Sequence, residues 1–199
     1  ACRYHQLAVS PRMSGNSFDA DIGVLTGYQP PPTSDPYQYL FHGPPYFPHH
    51  LQQSGYKTIT WDSYLPDFYR SRENHRAMGM DTYHALNGRQ WKTSLPRLSV
   101  DCPGDVEFLT AVAAELRATQ GSRFDFVRTL SSHGPWDDLD LHQEVLRVIG
   151  RPFLGGPQTL RGYAATMRYV DTALAQFYQQ LQPLIESEQL VLVIYGDHG

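Results

Sequence analysis

The sequence predicts an α/β protein: a doubly wound, mostly parallel sheet flanked by helices, incomplete at both ends. Three observations predict it. Segments with strand and helix periodicity alternate along the chain. Two long stretches carry apolar residues at helical spacing. The stretch at 189 to 195 is so uniformly apolar that it reads as a central parallel strand, covered on both faces. The 199 residues fit one domain with a core of its own.

The elements follow in order. Residues 17 to 26, SFDADIGVLT, place a small polar residue and acids ahead of an apolar run with Gly27 behind it, the pattern of a short helix with a capped start and a glycine stop. Residues 28 to 48 hold too many prolines for regular structure and read as a long loop. HHLQQSG reads as a helix end and turn leading into a strand at 56 to 61. A polar and aromatic stretch follows, without a clear period. Val106, Leu109, Val112, Ala113 and Leu116 mark an amphipathic helix over 104 to 119, and RFDFVRTLSS a buried strand over 123 to 132. After a polar insertion at 134 to 158, apolar positions from Tyr163 to Leu184 recur every three or four residues, a helix over 160 to 186.

Composition removes some functions. The net charge is −4 and lysines and arginines form no cluster, so the electrostatic footprint of a nucleic-acid binder is missing. No apolar run reaches the roughly 20 residues that cross a bilayer. Cys2 and Cys102 do not decide between an oxidising and a reducing compartment.

In open α/β sheets ligands bind beyond the carboxyl ends of the strands, so chemistry is sought there. Asp197 and His198 follow the last strand; a carboxylate and an imidazole are a ligand pair for Zn²⁺ or Mn²⁺, or else a turn cap and a surface histidine. His133 follows the strand at 123 to 132, placed to hydrogen-bond an anionic oxygen or act as general acid, or simply exposed in a loop. Ser17 opens the first helix, where backbone N–H groups favour phosphate; it is a nucleophile or only a cap, and Ser14 competes for either role. Arg70 and Arg72 can clamp a phosphate and Tyr69 can pack against a head group, or the three form a solvated turn. At Cys102 the CPGD sequence lacks the spacing and the arginine of a formylglycine signature, so that chemistry is rejected.

Together these segments resemble one family, the sulfatase-like phosphoglycerol transferases of the alkaline phosphatase superfamily, of the lipoteichoic acid synthase type. GNSFDADIGVLTG is similar to the nucleophile segment, with Ser17 at the usual threonine. SGYKTITWDSYLPDFYRSRENHRAMGMD resembles the Gly-Tyr strand and substrate motif, FVRTLSSHGPW the strand ending in Ser-any-His-Pro, YAATMRYVDTALAQFYQQL the long helix, and LVLVIYGDHG the metal-binding strand.

The resemblance implies an alkaline phosphatase-like fold and a partial sulfatase-like catalytic domain over 1–199. It implies Ser17 as nucleophile and metal ligand, Asp197 and His198 as metal ligands, and His133 as a phosphate or glycerol contact. Asp62 stands where a substrate histidine is common and Tyr69 where the family has an aromatic residue; the expected arginine falls at Ser71, between Arg70 and Arg72. The metal implied is Mn²⁺, with Zn²⁺, Mg²⁺ and Ca²⁺ as alternatives, and the substrate a lipid head group or other phosphate ester. A first strand bearing a glutamate ligand is expected before Ala1 and further strands after Gly199. Segments outside the chain would tether it to the cell membrane, with the catalytic domain on the extracytoplasmic side. The alternatives are a phosphodiesterase or phosphonate hydrolase with the same site, and a non-catalytic remnant of the fold.

Overall fold

The computed structural model describes residues 17–29, 45–85, 103–134, 136 and 158–197. In chain order they form α1 (Ser17–Thr26), α2 (Phe47–Gln53), β1 (Lys57–Asp62), a 3-10 turn (Phe68–Arg70), α3 (Ser71–Ala77), β2 (Thr82–Ala85), α4 (Asp105–Ala118), β3 (Arg123–Arg128) and α5 (Gln158–Glu186). The three strands are parallel in the order β2-β1-β3. In this register Asp62, the last residue of β1, lies between Ala85 and Arg128.

This order dictates where the helices go. The chain leaves β1 for β2 through α3, then crosses back over β1 to β3 through α4. Right-handed crossovers running in opposite directions put their helices on opposite faces of the sheet. Accordingly Phe124 and Phe126 of β3 meet Phe18, Ile22 and Leu25 of α1, Tyr46, and Met78 and Met80 after α3. Ile59, Trp61 and Val127 on the other face meet Phe108, Leu109, Val112 and Ala113 of α4 and Ala173, Phe177 and Leu181 of α5. Adjacent residues of one strand serve opposite cores, as the two-residue period requires.

On its α1-facing side β1 carries Thr58, Thr60 and Asp62, all buried. Burial of polar groups is tolerated only where each finds a partner. The Thr58 hydroxyl donates to the Gly79 carbonyl at 2.9 Å, and Thr60 Oγ1 lies 3.0 Å from His75 Nδ1. The interior thus becomes polar toward the carboxyl end of the sheet.

The helices expected at 17 to 26, 104 to 119 and 160 to 186 and the strands at 56 to 61 and 123 to 132 are present within a few residues, the second strand ending at Arg128. Three expectations are corrected. The loop expected over 28 to 48 ends early: Phe47 and Pro48 already belong to α2, because a proline's fixed φ suits a first helical turn. The polar stretch after β1 contains α3 and β2. The strand expected at 189 to 195 is irregular chain that pairs with no described strand. Leu190 and Leu192 pack on the α4/α5 core, while Val191 and Val193 are 86% and 74% exposed, so one face is covered and not two. Residues 30–44 of the proline-rich loop, most of the insertion after Gly134, Ser14, Cys2, Cys102 and His198 lie outside the described residues.

Gly79 joins α3 to β2 at a φ of 98°, and a Cβ there would lie 2.8 to 2.9 Å from the ring and backbone nitrogen of His49. Both the backbone angle and the contact demand glycine. Gly79→Ala is expected to lower stability by about 2 kcal/mol or more, read as a lower urea midpoint at an unchanged m-value.

Candidate active site

The carboxyl ends of β1 and β3 diverge to helices on opposite faces, which opens the crevice where such sheets bind ligands. Arg128 stands at this point, at the end of β3. Its Nη1 donates to Asp21 Oδ2 of α1 at 2.7 Å; its Nη2 donates to Asp62 Oδ2 and, at 2.7 Å, to Ser71 Oγ. The Tyr83 hydroxyl also donates to Asp62 Oδ2, and Asp62 Oδ1 accepts the Tyr64 N–H at 3.0 Å. His75 Nε2 lies 3.4 Å from Asp21 Oδ2. Asp21, Asp62, Ser71, His75 and Tyr83 are all buried. Desolvation, and then the charge of Asp62, drive the Tyr83 hydroxyl pKa well above its ordinary value, so it stays a donor.

One guanidinium therefore ties α1 to both strand ends. Ser17 opens that helix, partly buried. Its neighbour Phe18 packs against Tyr69, ring centroids 4.7 Å apart. Tyr69 and Arg70 both adopt left-handed backbone angles, φ 49° and 56°, which hold the tyrosine against α1 although neither is glycine. Arg70 is turned to the surface, where its Nε donates to Glu73 Oε2 at 2.7 Å. Arg72 is half-buried, its Nε has no hydrogen-bond partner, and its guanidinium lies 6.0 Å from the Tyr83 ring centre. Asp62 is a member of the buried network, with both oxygens engaged.

The segment ending in Asp197 runs beside the same cluster. The hydroxyl of Tyr195 titrates above its ordinary value because of desolvation and then the charges of Asp21 and Asp197, with Arg128 pulling the other way. Tyr195 thus lies within electrostatic reach of Asp21 and Arg128 as well as of Asp197. Among the described residues no three His, Cys, Asp or Glu side chains form a metal site. The donor types present, a hydroxyl and carboxylates, suit a hard divalent cation.

His133 is exposed in the turn after β3. That turn rests on Asp105, the first residue of α4: Asp105 Oδ1 accepts the N–H groups of Leu130 and Ser131 at 3.3 and 3.2 Å, and the Asp105 N–H donates to Ser131 Oγ at 3.1 Å. Asp105 Oδ2 is buried without a hydrogen-bond partner.

Sequence reasoning points to Ser17, Tyr69, Arg70, Arg72, Asp62, His133, Asp197 and His198, the last outside the described residues, and misses Asp21, Ser71, His75, Tyr83, Asp105 and Arg128. A signal existed for two of them. Arg128 continues the Phe124, Phe126 face of a buried strand, and Asp21 lies three residues after Phe18 and one before Ile22 on the apolar side of α1.

Comparison with known proteins agrees with this architecture. Residues 18–199 match the sulfatase family, beginning one residue after Ser17. Lipoteichoic acid synthase 1 of Bacillus subtilis is 31% identical over 95 residues, covering 48% of this chain and 14% of that protein. The crystal structure of the lipoteichoic acid synthase LtaP from Listeria monocytogenes superposes with a TM-score of 0.68 at 23% identity, over 85% of this chain and 40% of that one. A protein in the alkaline phosphatase superfamily from Vibrio parahaemolyticus superposes with a TM-score of 0.62 at 17% identity, over 84% of this chain and 39% of that one. The fold is that of the alkaline phosphatase superfamily. The chain belongs to the sulfatase family and spans a minor part of the length of these relatives.

Two outcomes follow from the buried charges. Removing one partner of a buried ion pair costs about 3–5 kcal/mol, because the other charge is stranded. Arg128→Ala takes the guanidinium from Asp21 and Asp62 together, and Arg128→Lys cannot bridge both; each is expected to lower the denaturation midpoint sharply, the alanine more. Burial raises the Asp105 carboxyl above its ordinary 3.8, against the lowering pull of Ser131 and Leu130. A raised acid stabilises the fold below its ordinary pKa and loses that contribution as pH rises through the folded value. Asp105→Asn should therefore gain on the parent protein as denaturation is repeated from pH 4 upward.

Proposed function

We propose that residues 1–199 are part of one sulfatase-like catalytic domain of a phosphoglycerol transferase acting on a phosphatidylglycerol-like lipid. The observation that carries this reading is the pinning of α1, which begins at Ser17, to the carboxyl end of β3 through Asp21 and Arg128. His133 and Asp197 emerge at that same end of the sheet. The likeness to lipoteichoic acid synthases supports the choice of substrate.

In this reading Ser17 Oγ attacks phosphorus at the start of a helix, where free backbone N–H groups favour the phosphate oxygens. The Oγ–P bond forms and the bond from phosphorus to the diacylglycerol oxygen breaks. Diacylglycerol leaves with a proton, and phosphoglycerol remains on Ser17. An acceptor hydroxyl then attacks phosphorus and Ser17 recovers its proton. Asp197, His198 and Ser17 would hold a divalent cation, Mn²⁺ foremost, which when bound supplies a lowered hydroxyl pKa and neutralises developing charge.

Arg72 is the better of the two arginines for the phosphate, since Arg70 is occupied at the surface by Glu73 while Arg72 keeps a buried N–H without an acceptor. Tyr69 lines the head group beside Ser17, and the exposed His133 contacts the phosphate or glycerol. Asp62 acts through Arg128 and not on the substrate. The site works on the extracytoplasmic side of the membrane, anchored by segments outside this chain; among the described residues no helix is long and apolar enough to cross a bilayer.

The test is release of diacylglycerol from a phosphatidylglycerol analogue by the full-length protein with Mn²⁺. Ser17→Ala should reduce it by about 10³-fold or more. Arg72→Ala should raise KM more than Arg70→Ala does. Release that does not depend on Ser17 defeats the reading.

A further inference from the structure

The turn that carries His133 is held from two directions. Below it, the Asp105 carboxylate gathers the Leu130 and Ser131 N–H groups onto one oxygen, and the Ser131 hydroxyl accepts the N–H of Asp105. Beside it, the Trp136 indole N–H donates to the Ser132 carbonyl at 3.0 Å, and the ring stands edge-on to Tyr163 of α5 at 5.2 Å. The Trp136 carbonyl lies so close over Gly162 of α5 that a Cβ has no room there. Between these supports the His133 N–H donates to the Leu130 carbonyl at 2.9 Å, and its Nδ1 lies 2.6 Å from the Gly134 carbonyl oxygen. A carbonyl only accepts, so Nδ1 carries the proton and Nε2 is the ring atom presented outward.

We propose that Asp105 is a positioning residue for His133: its carboxylate fixes the Leu130–Ser131 turn so that the imidazole is presented with Nε2 toward the substrate. The proposal rests on the reading of His133 as a phosphate or glycerol contact. Its chemistry is that of one acceptor oxygen serving two donors, the Ser131 N–H buried and the Leu130 N–H part-buried. An asparagine carbonyl can do the same, whereas alanine leaves both N–H groups without an acceptor. His133 stands two residues beyond the second N–H that Asp105 holds.

The experiment compares Asp105→Asn, Asp105→Ala, His133→Ala and the double variant Asp105→Ala/His133→Ala in the full-length protein, with the phosphatidylglycerol analogue and Mn²⁺. Asp105→Ala should lower kcat/KM by about 10- to 100-fold, the scale of a misplaced contact group, and Asp105→Asn by no more than about threefold. In the His133→Ala background Asp105→Ala should cost nothing further, since the two act as one unit. A second arm needs no turnover. Amide exchange in the peptide spanning 129–134, followed by mass spectrometry, should quicken at least about tenfold in Asp105→Ala and stay at the parent rate in Asp105→Asn. The carbethoxylation rate of His133 by diethyl pyrocarbonate should shift in the same variant only. An equal loss from Asp105→Ala with and without His133, or Asn and Ala variants that behave alike, overturns the proposal. If the parent protein releases no diacylglycerol, the transferase reading fails; exchange and carbethoxylation rates unchanged in Asp105→Ala would then overturn the role of Asp105 separately.

Discussion

The guanidinium of Arg128 holds the described architecture together. It bridges a carboxylate on α1 and a carboxylate at the end of β1, and reaches the hydroxyl of Ser71 at the start of α3. Planarity and five donors let a single arginine satisfy three directions at once, which an ammonium cannot. Each of its partners has few alternatives: Asp62 is buried at the sheet's end and Asp21 is buried inside a helix. The interaction is therefore less a source of net stability than a constraint on arrangement. Two desolvated carboxylates are tolerable only in the geometry that brings Arg128 between them, and that geometry sets α1 against the strand ends.

Topology supplies the rest. Strands in the order β2-β1-β3 with crossovers in opposite directions leave a gap at the carboxyl ends of β1 and β3, and the residues ending those strands are Asp62 and Arg128. The charged network occupies the floor of the crevice in which a ligand would sit. In the proposed reading the residues that meet a ligand are Ser17 from α1, Tyr69 and Arg72 from the turn and helix after β1, His133 from the turn after β3, and Asp197 from the segment after α5. Two consecutive left-handed residues at Tyr69 and Arg70 concentrate backbone strain on the margin facing α1, which is where function tends to store it.

Where one periodicity dominated, the sequence was sufficient. Phe18, Ile22 and Leu25 announce α1, and the α4 and α5 faces announce themselves by the same spacing, because apolar burial decided those elements. β2 was illegible: its four residues, TYHA, are too few and too mixed to show a period, and it exists by pairing with β1. The stretch at 189 to 195 failed for the opposite reason, since an apolar run reveals a liking for burial but not a partner strand. The Arg128 network was hidden by distance. Its contacts join residues 107 and 66 positions apart, and the letters of an ion pair carry no sign of each other at that range. Asp62 shows the consequence. The resemblance implies a substrate contact there, and only the fold shows that Arg128 and Tyr83 already hold it.

Charge arithmetic connects the floor of the crevice to the proposed chemistry. Among the described residues the floor sets two buried carboxylates against one guanidinium, and Asp197 adds carboxylate charge nearby. In a partly desolvated crevice such a charge attracts a cation and repels a phosphate diester. A phosphate could settle over Ser17 only with positive charge added above the floor. Arg72, half-buried with a donor to spare, and a divalent cation on the carboxylate side are the two sources that the proposed reading requires. The same negative floor thus accounts for two separate features of that reading: a site of this family that depends on a metal, and an arginine kept out of the buried network although it stands one residue from Ser71, which is inside it.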